Sequence, residues 1–235
     1  MLYSKKAVII MLAFILIFTI ITFLDLPNIL NNNRFLENYY INNGVKDTGA
    51  INQVTAILLD YRAFDTLGEA IVIFTAASII GYFAPKKKAP MLGVRLDVLV
   101  RYGVALILPF LLVFGLYIIL YGHLSPGGGF TGGVVLASIV IIYNITFGFG
   151  RERVYLFKQD TKKKIENIGL LTFLTIGLIG VLTEGSFLAN NDWLISIGKS
   201  GNLFSGGWIP LLNLVSGLKV GSGLAIIFNK LIKED

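Results

Sequence analysis

The chain has 235 residues, of which 55% are hydrophobic and only 14% charged, with a mean hydropathy of +0.76. That is too little polar surface for a soluble globule of this size, and it reads as an integral membrane protein. The 20 basic residues outnumber the 14 acidic ones, but they fall in short clusters between apolar runs, and with no cysteine and one histidine the chain cannot build an iron–sulfur cluster or a Cys/His zinc site.

A membrane span needs roughly 20 mainly apolar residues. Six runs qualify, at about 7–24, 66–83, 102–121, 131–147, 168–183 and 208–228. The first follows Lys5 and Lys6 but is longer than a signal-peptide core and lacks a small-x-small cleavage site before Asp25, so a retained helix is expected. The stretch 28–44, rich in asparagine, is expected as a polar external loop. The expected fold is an all-α polytopic transmembrane helix bundle of about six spans, with a short helix at 51–61.

Charge sets the orientation. Lys5 and Lys6, the 86–101 cluster, the 151–164 cluster, and Lys230 and Lys233 all fall on one side. Arg34, Lys46, Arg62 and Lys199 fall on the other, so both termini are expected to be cytoplasmic. Residues 84–101, with two prolines and five basic residues, form a cytoplasmic hinge. It divides a two-span small module, 1–90, from a four-span module, 91–235.

Three stretches carry candidate chemistry. In the first, "DTGAINQVTAILLDYRAFDTLGE", the apolar core Ile51–Tyr61 covers only about 16 Å as a helix. It suits a half-helix, a re-entrant piece or an interfacial helix. Asp60, Arg62, Asp65 and Glu69 crowd the junction with the next span, and Asp65 and Glu69 share a helical face. A carboxylate in hydrocarbon costs several kcal/mol, so Glu69 is either protonated, paired (with Arg62, as a clamp) or facing a wet cavity.

The second stretch, "YGHLSPGGGFTGG", fits G-x-G-x-x-G at Gly127, Gly129 and Gly132. A dinucleotide turn requires a preceding strand and an acidic residue roughly 20 positions later on the same side. Here a membrane helix precedes it, and Glu152 lies across a span. The glycines read instead as structure: Pro126 with Gly127, Gly128 and Gly129 makes a tight hairpin, and Gly132 and Gly133 give the next span a flat face for close helix approach. His123 is either a hydrogen-bonded anchor or a proton acceptor at the mouth of a path.

The third is Lys219 in "NLVSGLKVGSG", near the middle of the last span, with Ser216 and Ser222 three residues away and Gly217 and Gly221 as a G-x-x-x-G beside it. It reads either as a proton-transfer group or as a lysine bonded to carbonyls or to a carboxylate on another polypeptide of an assembly.

"GHLSPGGGFTGG" followed by an apolar span, with "GLKVG" in the last one, resembles the B-type subunit of multisubunit Mrp-type cation/proton antiporters. "TGAINQVTAILLDYRAFDTLGE" resembles the C-terminal end of the large A-type subunit of those antiporters, a segment that stands as a separate small subunit in Mrp-related membrane-bound hydrogenases and sulfane-sulfur reductases. The two resemblances span about 45–85 and 91–230. They imply a multi-pass subunit of the prokaryotic cytoplasmic membrane, in a module that exchanges sodium for protons and assembles with other antiporter-module subunits. No redox cofactor is expected in this chain; partner subunits of a hydrogenase-like peripheral arm would carry the iron–sulfur or nickel–iron centres. Carried over, Glu69 matches the acidic residue implicated in ion passage, Arg62 and Asp65 support its shape, and Lys219 matches the polar position of the last span. Fusion of the two modules apart from the large pumping subunit favours a hydrogenase or reductase complex over a plain antiporter. A purely structural, glycine-faced wedge is the competing reading, and an enzyme in its own right has no supporting constellation.

Overall fold

A computed structural model describes residues 34–83, 97–147, 159–190 and 195–232, with the isolated helical positions Ala13, Leu16, Ile17, Ile20 and Leu24. The rest of the expected 7–24 span, and most of the 84–101 hinge, lie outside the described residues. Among the described residues the chain is helical, without strands: α1 Arg34–Thr48, α2 Gln53–Ala56, a π-helical turn Ile57–Tyr61, α3 Ala63–Phe83, α4 Val98–Leu120, α5 Gly129–Phe147, α6 Gln159–Glu184 and α7 Ile209–Ile232. Five of these, α3 to α7, are long and apolar enough to cross a membrane. They match the last five expected spans, with α6 starting nine residues earlier than the expected 168.

The expected loop over 28–44 is corrected from Arg34 onward, where α1 forms. Glu37 in its first turn and Lys46 in its last complement the helix dipole, and Phe35 packs on Tyr39 one turn away, centroids 6.5 Å apart. Asparagine richness alone does not outweigh these local terms.

Two compact units separate at the middle of α1, Met1–Asn43 and Gly44–Asp235. Within the second, α7 is the central helix: 61% of its span is buried, against 11% of the α4 span. It packs against α5, α6, α3 and α4, so α3 shares one bundle with the four later helices. A core of Ala50, Ala56, Leu59, Ala63, Phe173, Ile176, Leu188, Ile209 and Leu212 joins the short α2 and π turn to α6 and α7.

Small residues make that central packing close. A Cβ on Gly133 would stand 2.6 Å from the Gly217 carbonyl oxygen and 2.8 Å from Val220 Cβ, and one on Gly221 would stand 3.2 Å from the Gly133 oxygen. Gly132 meets α4 in the same way, against Ile119 and the Gly115 carbonyl. With no hydrophobic drive between helices in lipid, such backbone-to-backbone fit is what holds spans together. The expected G-x-x-x-G of Gly217 and Gly221 thus finds its counterpart in Gly129 and Gly133.

Candidate functional site

The site begins with a polar clamp between two stretches about 70 residues apart. Asn52 caps α2, accepting from the Val54 and Thr55 N–H groups at 3.1 and 3.4 Å. Its amide donates to the carbonyls of Gly122 at 2.8 Å and Ser125 at 2.9 Å, and the Thr55 hydroxyl donates to Gly122 at 2.8 Å. The short helix α2 and the glycine turn are therefore one unit. The turn itself needs glycine: Gly127 and Gly128 adopt φ of +154° and +133°, and Gly122 touches the Gly128 backbone. Asn213 of α7 then caps α5, its Oδ1 accepting from the Gly129 N–H at 2.9 Å, while its Nδ2 has no hydrogen-bond partner among the described residues.

These elements enclose a cavity of about 250 Å³. Glu69 from α3, Lys219 and Ser216 from α7, Asn213, Thr55, Thr66 and Thr131, and the backbone of Gly127 to Gly129 line it, with Leu58, Phe130, Phe173 and Val220 as apolar wall. The volume suffices for several waters beside the Glu69 carboxyl. Lys219 is fully buried and donates to the backbone carbonyl of Ala70, the residue next to Glu69. The π turn contributes as well. It frees the Leu58 carbonyl, which accepts from the Thr66 hydroxyl at 2.6 Å and so holds α3 against the cavity.

Of the expected site residues, Glu69 and Lys219 come together with Gly127, Gly128 and Gly129. Arg62 does not clamp Glu69; it bridges Asp65 at 2.7 Å on an exposed surface, leaving Glu69 exposed to the cavity. Gly132 and Gly133 serve packing. His123 is fully buried outside the cavity lining, its own carbonyl accepting from the Asn52 N–H at 3.0 Å. Burial lowers its pKa; the Asn202, Leu203 and Leu120 backbone oppose that shift, although neither ring nitrogen reaches hydrogen-bond geometry among the described residues. Asp60 also lies outside the lining. Burial raises its carboxyl from 3.8 to about 6, with the Asn190 backbone opposing and the nearby Asp47 adding to the shift.

Asn52, Thr55, Asn213 and Glu166 were not foreseen. Glu166 reads in sequence as one acidic residue in a basic cytoplasmic segment; because α6 starts at Gln159, it sits about two turns inside the helix and is 4% exposed. Its spacing of three from Gly169 was the available signal.

Fold and site together define a multi-pass helical membrane protein with a largely apolar cavity, carrying Glu69 and Lys219, where two sequence modules meet. The chain belongs to the MnhB-related family: the family described as "Domain related to MnhB subunit of Na+/H+ antiporter" matches residues 99–226, and the MbhE family of MBH subunits matches residues 7–89. An uncharacterized protein of Methanocaldococcus jannaschii is 28% identical over 197 residues, 74% of each chain. A Staphylococcus haemolyticus protein described as antiporter subunit mnhB2 is 31% identical over 107 residues, 46% of this chain and 74% of its own. Among solved structures, a chain of the membrane-bound sulfane sulfur reductase, an archaeal respiratory membrane complex, superposes with TM-score 0.76 at 30% identity, covering 93% of this chain and 98% of that one. A chain of the Mrp complex from Dietzia sp. gives TM-score 0.65 at 26% identity, covering 84% of this chain but 22% of that one. The resemblance read from "GHLSPGGGFTGG", "GLKVG" and "DTLGE" therefore holds.

Proposed function

We propose that this chain is an antiporter-type membrane subunit of a multisubunit respiratory complex and contributes the cavity of Glu69 and Lys219 to a sodium/proton translocation path. One observation carries the reading: an acid and a base from two different modules line one cavity beside the glycine turn. A carboxylate with room for water can hold a cation or a proton, and a buried lysine lining the same cavity exchanges protons as the local charge changes. Intramembrane ionisable groups in a cavity are functional by default.

The near-complete mutual coverage with the sulfane sulfur reductase chain, against 22% of the Mrp chain, supports a reductase- or hydrogenase-type complex over a plain antiporter. In such a complex the redox centres belong to partner subunits, and this chain sits in the prokaryotic cytoplasmic membrane with the basic start of α6 and the basic end of α7 inside.

The purely structural alternative draws on the glycine-faced α5–α7 packing. The two readings separate in vesicles carrying the whole native complex, with Glu69→Gln and Lys219→Met compared with wild type at equal assembly. The expected result is loss of sodium-dependent proton movement with the complex intact. Transport at the wild-type rate in both variants would leave this chain as scaffold.

A further inference from the structure

A second charged cluster lies farther along the same three helices. Glu166 of α6 is buried, its Oε1 has no hydrogen-bond partner among the described residues, and it interacts electrostatically with both Lys219 and Lys230 of α7. Two glycines make the approach possible, each opposite the other helix's charged residue. A Cβ on Gly223 of α7 would stand 3.1 Å from Glu166 Oε1; a Cβ on Gly169 of α6 would stand 3.1 Å from Lys219 Cβ. Each helix of the α6–α7 contact thus presents a glycine to the other helix's charged side chain.

Glu166 also lines a second cavity of about 140 Å³, with Lys163, Asn167, Ser78 and Lys230, whose Nζ donates to the Ala77 carbonyl at 2.9 Å. Lys219 lines the first cavity and Glu166 the second, and the two are electrostatic neighbours. Lys219 and Lys230 are eleven residues apart, about 16 Å along the helix axis.

We infer that Glu166 is a proton relay joining the two cavities. The inference rests on the proposed translocation role of Glu69 and Lys219 and adds the route by which the proton leaves. In the step, a Lys219 Nζ–H bond breaks and, relayed by water between the two groups, a Glu166 O–H bond forms, converting an ammonium and a carboxylate into a neutral acid and a neutral amine. The Glu166 O–H bond then breaks and the proton passes to water in the second cavity. A proton from the first cavity restores Lys219, so one proton enters, one leaves and nothing is oxidised or reduced. Written backwards, the same steps carry a proton the other way.

The cluster's charge selects for protons. The basic groups around Glu166 are Lys219 and Lys230 from α7 and Lys163 from its own helix, while α3 lines the cavity with Phe74, Ala77 and Ser78. Three basic side chains around one carboxylate repel a sodium ion, whereas proton transfer between acid and base cancels charge instead of adding it. Sodium would stay on the side of Glu69.

The test uses the whole native complex in lipid vesicles, with two fluxes read in parallel: proton movement followed by a pH-sensitive dye, and exchange of radioactive sodium for unlabelled sodium without a pH gradient. Glu166→Gln is expected to slow proton movement about 100-fold, the low end for losing a positioned acid–base group, and to leave sodium exchange at the wild-type rate. Proton movement at the wild-type rate in the assembled variant overturns the relay, as does loss of both fluxes together. If the glutamine variant does not assemble, Glu166→Asp decides: its carboxyl still titrates, so reduced but measurable proton movement with normal sodium exchange supports the relay, and no proton movement overturns it. The underlying path reading fails separately, when Glu69→Gln and Lys219→Met leave both fluxes unchanged or the wild-type complex moves neither ion.

Discussion

Lys219 of α7 donates to the backbone carbonyl of Ala70, the residue that follows Glu69 on α3. The bond ties the base of the cavity to the helix that carries its acid, so side chain and scaffold are coupled at one position. Because the Lys219 stem is buried in full, its removal is a packing change as well as a charge change. Lys219→Ala is expected to destabilise the chain by about 2–4 kcal/mol, the range for deleting a long buried side chain. Lys219→Met keeps the volume and should cost under about 1.5 kcal/mol. Thermal unfolding of the purified chain in detergent measures both, and equal losses would mean that the ammonium, not the stem, holds α3.

Asp60 supplies a pH dependence with a definite sign. Burial raises its carboxyl from 3.8 to about 6, so the fold favours the protonated form. Between those values the native state binds the proton and the unfolded state does not, so this residue's stabilisation is present at low pH and is lost as pH rises through about 6. Asp60→Asn is therefore expected to raise the unfolding temperature at pH 7.5 and to change it little at pH 4. A variant less stable than wild type at pH 7.5 would show that the Asn190 backbone interaction outweighs burial.

Five of the expected spans, the short helix near 51–61 and the resemblance were legible because apolar run length and glycine motifs are local properties of the chain. What was not legible depends on pairing between distant segments. Nothing near Asn52 in the sequence says that its amide meets Gly122 and Ser125, and Asn213 looks like a polar defect in an apolar run until it caps Gly129. Glu166 was hidden by a start for α6 placed at 168: the basic stretch Lys162–Lys164 reads as a loop, yet it is helical, and Lys162 is itself buried. Arg62 was near enough in sequence to pair with either carboxylate, and the break in helix geometry at Arg62 aims it at Asp65.

The glycines divide into two kinds with opposite expected effects. Gly133→Ala drives a methyl group against the Gly217 carbonyl and Val220, backbone and a branched side chain that cannot rotate away, and should cost about 1–3 kcal/mol. Gly103 of α4 faces open space, so Gly103→Ala removes only backbone freedom and should stabilise the isolated chain by roughly 0.5–1 kcal/mol. Unfolding temperatures that move in the same direction for both variants would rule out close α5–α7 packing as the reason for Gly133.

The clamp between α2 and the glycine turn should show in a double-mutant cycle. Asn52 and Thr55 both donate to the Gly122 carbonyl, at 2.8 Å each. Thr55→Val removes one donor and leaves that oxygen satisfied by Asn52, so the expected cost is about 1 kcal/mol. Asn52→Ala loses the α2 cap and the bond to Ser125 while Thr55 still serves Gly122, for about 2–3 kcal/mol. In the double variant the Gly122 oxygen loses both donors, and an orphaned buried acceptor costs more than a missing hydrogen bond. The double variant should therefore exceed the sum of the single ones by about 0.5–1 kcal/mol, measured as unfolding temperatures of the four proteins. Simple additivity would mean that the two side chains hold the turn independently, so that either one alone keeps Gly127 to Gly129 facing the cavity.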